Sequence, residues 1–97
     1  MFNKVKEMME LRKKADQLKK ELEATKIEVN EARGIKLVIN GAQIIQSIEI
    51  DEGLLAPGNK NRIQMYLLKS FNNGVKKSQQ AAANKMRNIP GLNLPGM

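Results

Sequence analysis

Ile35-Lys36-Leu37-Val38-Ile39-Asn40-Gly41-Ala42-Gln43-Ile44-Ile45-Gln46-Ser47-Ile48-Glu49-Ile50-Asp51 is the stretch whose reading decides the fold. Asn40-Gly41 lies between two β-branched runs. That pattern reads as a β-hairpin closed by a type I′ turn, whose two central residues need positive φ. With those two residues as the loop, Ile39 pairs with Ala42, Leu37 with Ile44 and Ile35 with Gln46. Side chains alternate along strands. Ile35, Leu37, Ile39, Ala42, Ile44, Ile48 and Ile50 then share an apolar face, and Lys36, Val38, Gln43, Ile45, Ser47, Glu49 and Asp51 a mixed one.

Outward from the hairpin the pattern turns helical on both sides. Residues 2–24 contain no Gly or Pro and are dominated by Glu, Lys, Leu, Met and Ala, all good helix formers. Met8, Leu11, Ala15, Leu18 and Leu22 recur at alternating spacings of three and four, a heptad seam for packing on one other helix. Lys6, Lys13 and Lys20 fall opposite it. Residues 25–32 alternate as a strand with Ile27 and Val29 on one face, and Arg33-Gly34 turns the chain into the hairpin.

After Asp51, Glu52-Gly53-Leu54-Leu55 reads as a single turn, and Pro57-Gly58 breaks the chain. Asn59 is placed to cap a second long helix ending at residue 88. Ile63, Leu67, Phe71, Val75, Ala82 and Met86 mark its apolar face, with Leu68, Gly74 and Ala81 alongside. Arg62, Lys69, Lys76 and Arg87 fall opposite. Residues 89–97, rich in Pro and Gly, read as a loose tail.

The expected fold is α+β with order αβββα, in one domain of residues 1–97: a helical arm at 1–24, a three-stranded antiparallel meander at 25–51 and a helical arm at 59–88. Helices this long outreach so small a sheet. Their far ends project as antiparallel neighbours held by each other, and a second copy of the chain would supply burial that one copy lacks.

Composition excludes several classes of function. With no Cys there is no disulfide or thiolate metal site, and with no His the commonest general base and metal ligand is missing. Glu49 and Asp51 share a strand face, but alternating carboxylates are usual on a solvated sheet face; no phosphate loop, nucleophile elbow or calcium loop occurs. The sequence reads as a non-enzyme without metal, cofactor or small-molecule substrate. No apolar run approaches the roughly 18 residues of a membrane span, and residues 1–7 lack a signal-peptide core, so the expectation is a cytoplasmic protein without a membrane partner.

The net charge of +7 comes from 17 basic and 10 acidic residues, unevenly spread. Residues 52–97 hold seven basic residues and only Glu52. The basic stripes read either as solvated helix faces or as phosphate contacts. Two Phe and one Tyr leave little for base stacking, and no constellation for reading base edges stands out, so any nucleic-acid binding would be shape-based or unspecific.

These elements together resemble the YbaB/EbfC family of bacterial nucleoid-associated proteins. The resemblance rests on Met1-Phe2, Lys36 to Gly41, Ile48 to Asp51 with Leu54-Leu55, Phe71-Asn72, Met86 and Leu94-Pro95-Gly96, in that order. It implies a tweezer-like homodimer whose sheets join at the centre and whose arms bind double-stranded DNA, largely without sequence specificity, in the nucleoid. The arm positions that offer charge are then Lys4, Lys6, Arg12, Lys13, Lys76, Lys77, Lys85 and Arg87. The chain departs from the family pattern in opening its last helix with Lys60-Asn61-Arg62, where the family carries acids; cations there oppose the helix dipole. An alternative reading of the same arms is a dimeric clamp or scaffold for a partner protein, gripping through adaptable Met side chains.

Overall fold

The structure, a computed structural model, describes residues 2–88. The tail expected at residues 89–97 lies outside them. Helix α1 (Phe2–Ala24) leads into strands β1 (Lys26–Val29), β2 (Ile35–Asn40) and β3 (Ile45–Ile50). Two 3-10 turns (Glu52–Leu54 and Pro57–Asn59) connect to helix α2 (Lys60–Arg87). The sheet is antiparallel in the order β1-β2-β3. The order αβββα is therefore as the sequence implied.

The core sits between α2 and the first two strands. Val29, Leu37 and Ile39 are buried, with Ile27 and Phe71 packed against them. Across β1 and β2, Ile27 lies opposite Ile39 and Val29 opposite Leu37, so one face of both strands is apolar. Each such side chain contributes about 1.5–3 kcal/mol on burial. β1 is shorter than expected. The chain leaves the sheet after Val29, and Glu31 is drawn to α2 by Lys77 Nζ at 3.2 Å and by a hydrogen bond from the Asn73 side-chain amide. Gly34, at φ 84°, then makes the turn, and a Cβ there would lie 2.7 Å from Leu54 Cδ1.

The hairpin differs from the type I′ expectation. Ile35 lies opposite Ile50, Leu37 opposite Ile48 and Ile39 opposite Ile45, instead of Gln46, Ile44 and Ala42 respectively. The loop has a third residue. Gln43 N donates to Asn40 O at 3.2 Å, Gln43 takes the left-handed conformation at φ 64°, and Asn40 N donates to Ile44 O at 3.0 Å. This is a three-residue loop with the left-handed residue last.

The reason lies in what Asn40 and Gly41 are needed for. Asn40 Oδ1 accepts from Ala42 N and Ile44 N, both at 3.0 Å. Gly41 lies under the end of α1, donating to Leu22 O at 2.8 Å, and a Cβ there would stand 3.0 Å from that oxygen. Gly41 thus serves close approach, and positive φ passes to Gln43. A bulge follows, with Ser47 opposite Val38 and Ile45 opposite Ile39, leaving Gln46 as the extra residue. It brings Ile45, and not Ile44, onto the face of Ile39.

Helix α2 crosses the sheet on a ridge of small residues. Ser70, Gly74 and Ser78, one turn apart, are its buried residues. A Cβ on Gly74 would lie 3.1 Å from Leu37 Cδ2 and 3.5 Å from both Ile39 Cγ2 and Val29 Cγ2. The expected apolar stripe is rotated accordingly: Ile63, Leu67 and Phe71 are half-buried beside the ridge, whereas Val75 and Leu68 are exposed. Asn59 precedes α2 but does not cap it with its side chain; its Nδ2 donates to Leu54 O at 3.1 Å.

Gly41 under Leu22 and Ser78 Oγ on Asn40 O at 2.7 Å bring the end of α1 and the middle of α2 to the same end of β2. The last turns of α2 run back along α1. Leu18 and Leu22 of the α1 seam are half-buried, but Met8 is 71% and Leu11 56% exposed. Among the described residues the helices therefore hold each other only near the sheet, and the first half of α1 projects beyond the end of α2. The radius of gyration is 18.5 Å, against about 13 Å for a compact chain of this length.

Substitutions at two positions test this packing by chemical denaturation. Gly74→Ala gains about 1 kcal/mol in helix propensity and crowds only the end of Leu37, so its net effect stays within about 1 kcal/mol. Gly74→Leu has no space and costs at least about 2 kcal/mol. Asn40→Ala strands the Ala42 and Ile44 amides and costs about 2–3 kcal/mol. Asn40→Asp keeps the acceptor oxygens but sets a buried carboxylate against Glu23 O, so it is destabilising as well.

Candidate nucleic-acid interface

The exposed cations are held by the two helices, and packing decides which way each points. On α1, Lys4, Lys6, Arg12 and Lys13 all lie exposed on the projecting half. Arg12 borders an apolar surface formed by Val5, Met8, Met9, Leu11 and Ala15, and Lys4 lines its other flank with Glu7. Lys6 and Lys13, seven residues apart, lie away from that surface on the other side of the helix.

On α2, Lys76 and Arg87 are exposed, while Lys77 and Lys85 are half-buried. Lys77 is the member of the set already engaged by an acid, through Glu31. The eight positions are thus strung along two helices and do not gather into a pocket-like cluster. Arg62 and Lys69, outside the set implied by the resemblance, are exposed as well. Their signal in the sequence is the seven-residue spacing from Arg62 through Lys69 to Lys76.

Of the sheet carboxylates, Glu28 is ion-paired. Lys36 lies opposite Glu49 across β2 and β3, and its Nζ is 3.5 Å from Glu28 Oε1. Glu49 and Asp51 line an open recess with Arg33 and Lys36, a mixed-charge surface at the sheet end away from the arms. Among the described residues no group of three or more acidic, His or Cys side chains is arranged to hold a metal ion. No helix among them is long and apolar enough to cross a membrane.

Two helices rooted in a small sheet thus display exposed cations along an extended surface. The chain belongs to the YbaB/EbfC DNA-binding family, whose sequence model matches residues 1–92. That family is one of DNA-binding proteins, not of enzymes. A nucleoid-associated protein of Syntrophobacter fumaroxidans is 30% identical, the match covering 99% of this chain and 94% of the relative. Another from Mycoplasmopsis pulmonis is also 30% identical, over 89% of this chain and 92% of its own length. The fold is similar to that of the crystal structure of an uncharacterized protein from Helicobacter pylori, with a TM-score of 0.77 at 22% identity, covering 94% of this chain and 98% of that one.

The Glu31–Lys77 bridge is half-exposed, so it contributes at most about 1 kcal/mol. Glu31→Gln is expected to lower stability by no more than that in a denaturant titration. It also removes an anion from beside Lys77, so electrophoretic-shift measurements with duplex DNA should show tighter binding.

Proposed function

We propose that the protein binds duplex DNA through its two basic helical arms, mostly without sequence preference, as a homodimer in the bacterial nucleoid. The observation that carries this reading is the display of exposed cations on both helices of a chain from a DNA-binding family. Two matching relatives are described as nucleoid-associated. Each exposed Lys or Arg that meets a phosphate releases condensed counterions, which supplies affinity that does not depend on base sequence. With Phe71 packed against the core, little aromatic surface is left for stacking on single strands.

The dimer has support in the sheet. Among the described residues helix α2 packs mainly on β1 and β2 and leaves β3 as an edge strand, with Ile45 42% and Ile48 43% exposed on the core-facing side. An open apolar edge is an aggregation hazard in a lone chain. Joining the sheets of two copies there would bury it and would make a rigid block from which two pairs of arms project.

A second reading is a clamp for a partner protein. It is favoured by the exposed apolar run of Val5, Met8, Met9 and Leu11 on the projecting half of α1. Such a clamp would hold an apolar client at high salt, where phosphate contacts fail.

Charge reversal at Lys76, Lys77 and Arg87 tests the DNA reading. Binding to a generic duplex at physiological salt should fall by at least tenfold, with the dimer mass unchanged in solution scattering. Unaltered affinity would remove these positions from the interface, and client binding that survives high salt would favour the clamp.

A further inference from the structure

Helix α2 carries seven basic residues and no acidic one over Lys60–Arg87. The ridge of Ser70, Gly74 and Ser78 fixes the face it turns to the sheet. At about 100° per residue, Arg62, Lys69, Lys76 and Arg87 all fall within one sector on the opposite side, and all four are exposed. At 1.5 Å per residue the line from Arg62 to Arg87 is about 37 Å long, close to one turn of B-form DNA at about 34–36 Å. It starts above the sheet and ends in the arm.

The start of that line is costly to the fold. The first turn of α2 has no acidic residue, and Asn59 gives it no side-chain cap. Arg62 therefore stands at the positive end of the helix dipole, where an acid would be favoured. An arginine in that place opposes the stability of the free protein, and a polyanion lying along the helix would reverse the balance.

We infer that a duplex lies lengthwise along the outer face of α2, so that Arg62 and Lys69 above the sheet contact phosphates together with Lys76 and Arg87 in the arm. The inference rests on the DNA-binding reading and deepens it. The contact surface is a straight track about one helical turn long on each protomer, continuing over the sheet block beyond the arms. The ligand chemistry is the phosphodiester backbone, since the track is a line of four cations with one half-buried aromatic residue, Tyr66, beside its start.

The test is a salt series of binding to a generic duplex for the full chain, Arg62→Gln, Lys69→Gln and the double variant, with Lys26→Gln as a control on the sheet. Each of the two track substitutions should reduce the magnitude of the slope of log K against log salt by about 0.9, and the double variant by about twice that. Lys26→Gln should leave the slope unchanged. In the free protein, Arg62→Glu should raise Tm by a few degrees while weakening DNA binding, because an acid suits the first turn of a helix. Slopes equal to that of the unaltered chain in both single variants would overturn the track and leave the arms as the binding surface. A fall in Tm for Arg62→Glu with no change in slope would make Arg62 a structural residue and overturn it too. If the unaltered chain binds no DNA even at low salt, the underlying DNA reading fails and the track fails with it.

Discussion

The structure depends on the hydrogen bonding of one buried side chain, Asn40, which is 3% exposed. Its Oδ1 accepts two amides of the hairpin loop, its Nδ2 donates to Glu23 O at the end of α1, and its backbone oxygen accepts the Ser78 hydroxyl of α2. A buried polar group left without partners costs about 1–3 kcal/mol. The three elements must therefore meet at this residue in one geometry. That requirement fixes the angle at which α1 leaves the sheet, and hence where its projecting half points.

The second constraint is steric. Gly74, flanked by Ser70 and Ser78, lets α2 settle onto Leu37, Ile39 and Val29 at van der Waals distance. A large residue anywhere on this ridge would lift or rotate the helix. The ridge therefore decides not only core packing but also which residues face solvent. Arg62, Lys69 and Lys76 are displayed outward because small residues, and not Val75 or Leu68, face the sheet. Packing and electrostatics are linked through the rotation of a single helix.

Element order was legible in the sequence because it rests on strong periodic signals: two Gly-free or nearly Gly-free helical stretches and a β-branched run between them. The family was legible from short motifs in the right order. Register was not. Asn-Gly signals a two-residue turn when both residues serve the turn alone, but here Asn40 and Gly41 also dock the end of α1, and Gln43 takes the positive φ. The bulge at Gln46 has no local marker, so Ile44 and Ile45 could not be assigned to faces by alternation. On α2 the buried face was obscured because two of its three buried residues are serines, whose polarity hides a packing role that depends on their size. The heptad seam of α1 gave the right face but not the extent of its cover. Half of the eight arm cations, Lys6, Lys13, Lys76 and Arg87, were legible as charges on the outer sides of amphipathic helices, whereas the engagement of Lys77 by Glu31 required the tertiary fold.

Cations arranged along helices, with few aromatics and no gathered cluster of polar side chains, suit an affinity made mainly of phosphate contacts. Such binding has a signature that packing against a protein partner lacks, because every contact releases counterions. The most direct measurement is the affinity of the unaltered chain for a generic duplex across a series of salt concentrations, with the mass of the complex followed in parallel. Log K is expected to fall linearly with log salt, with a slope of several units and little difference between unrelated duplex sequences. A flat salt dependence, or no binding at low salt, would contradict that expectation and leave the cations as solvated helix faces.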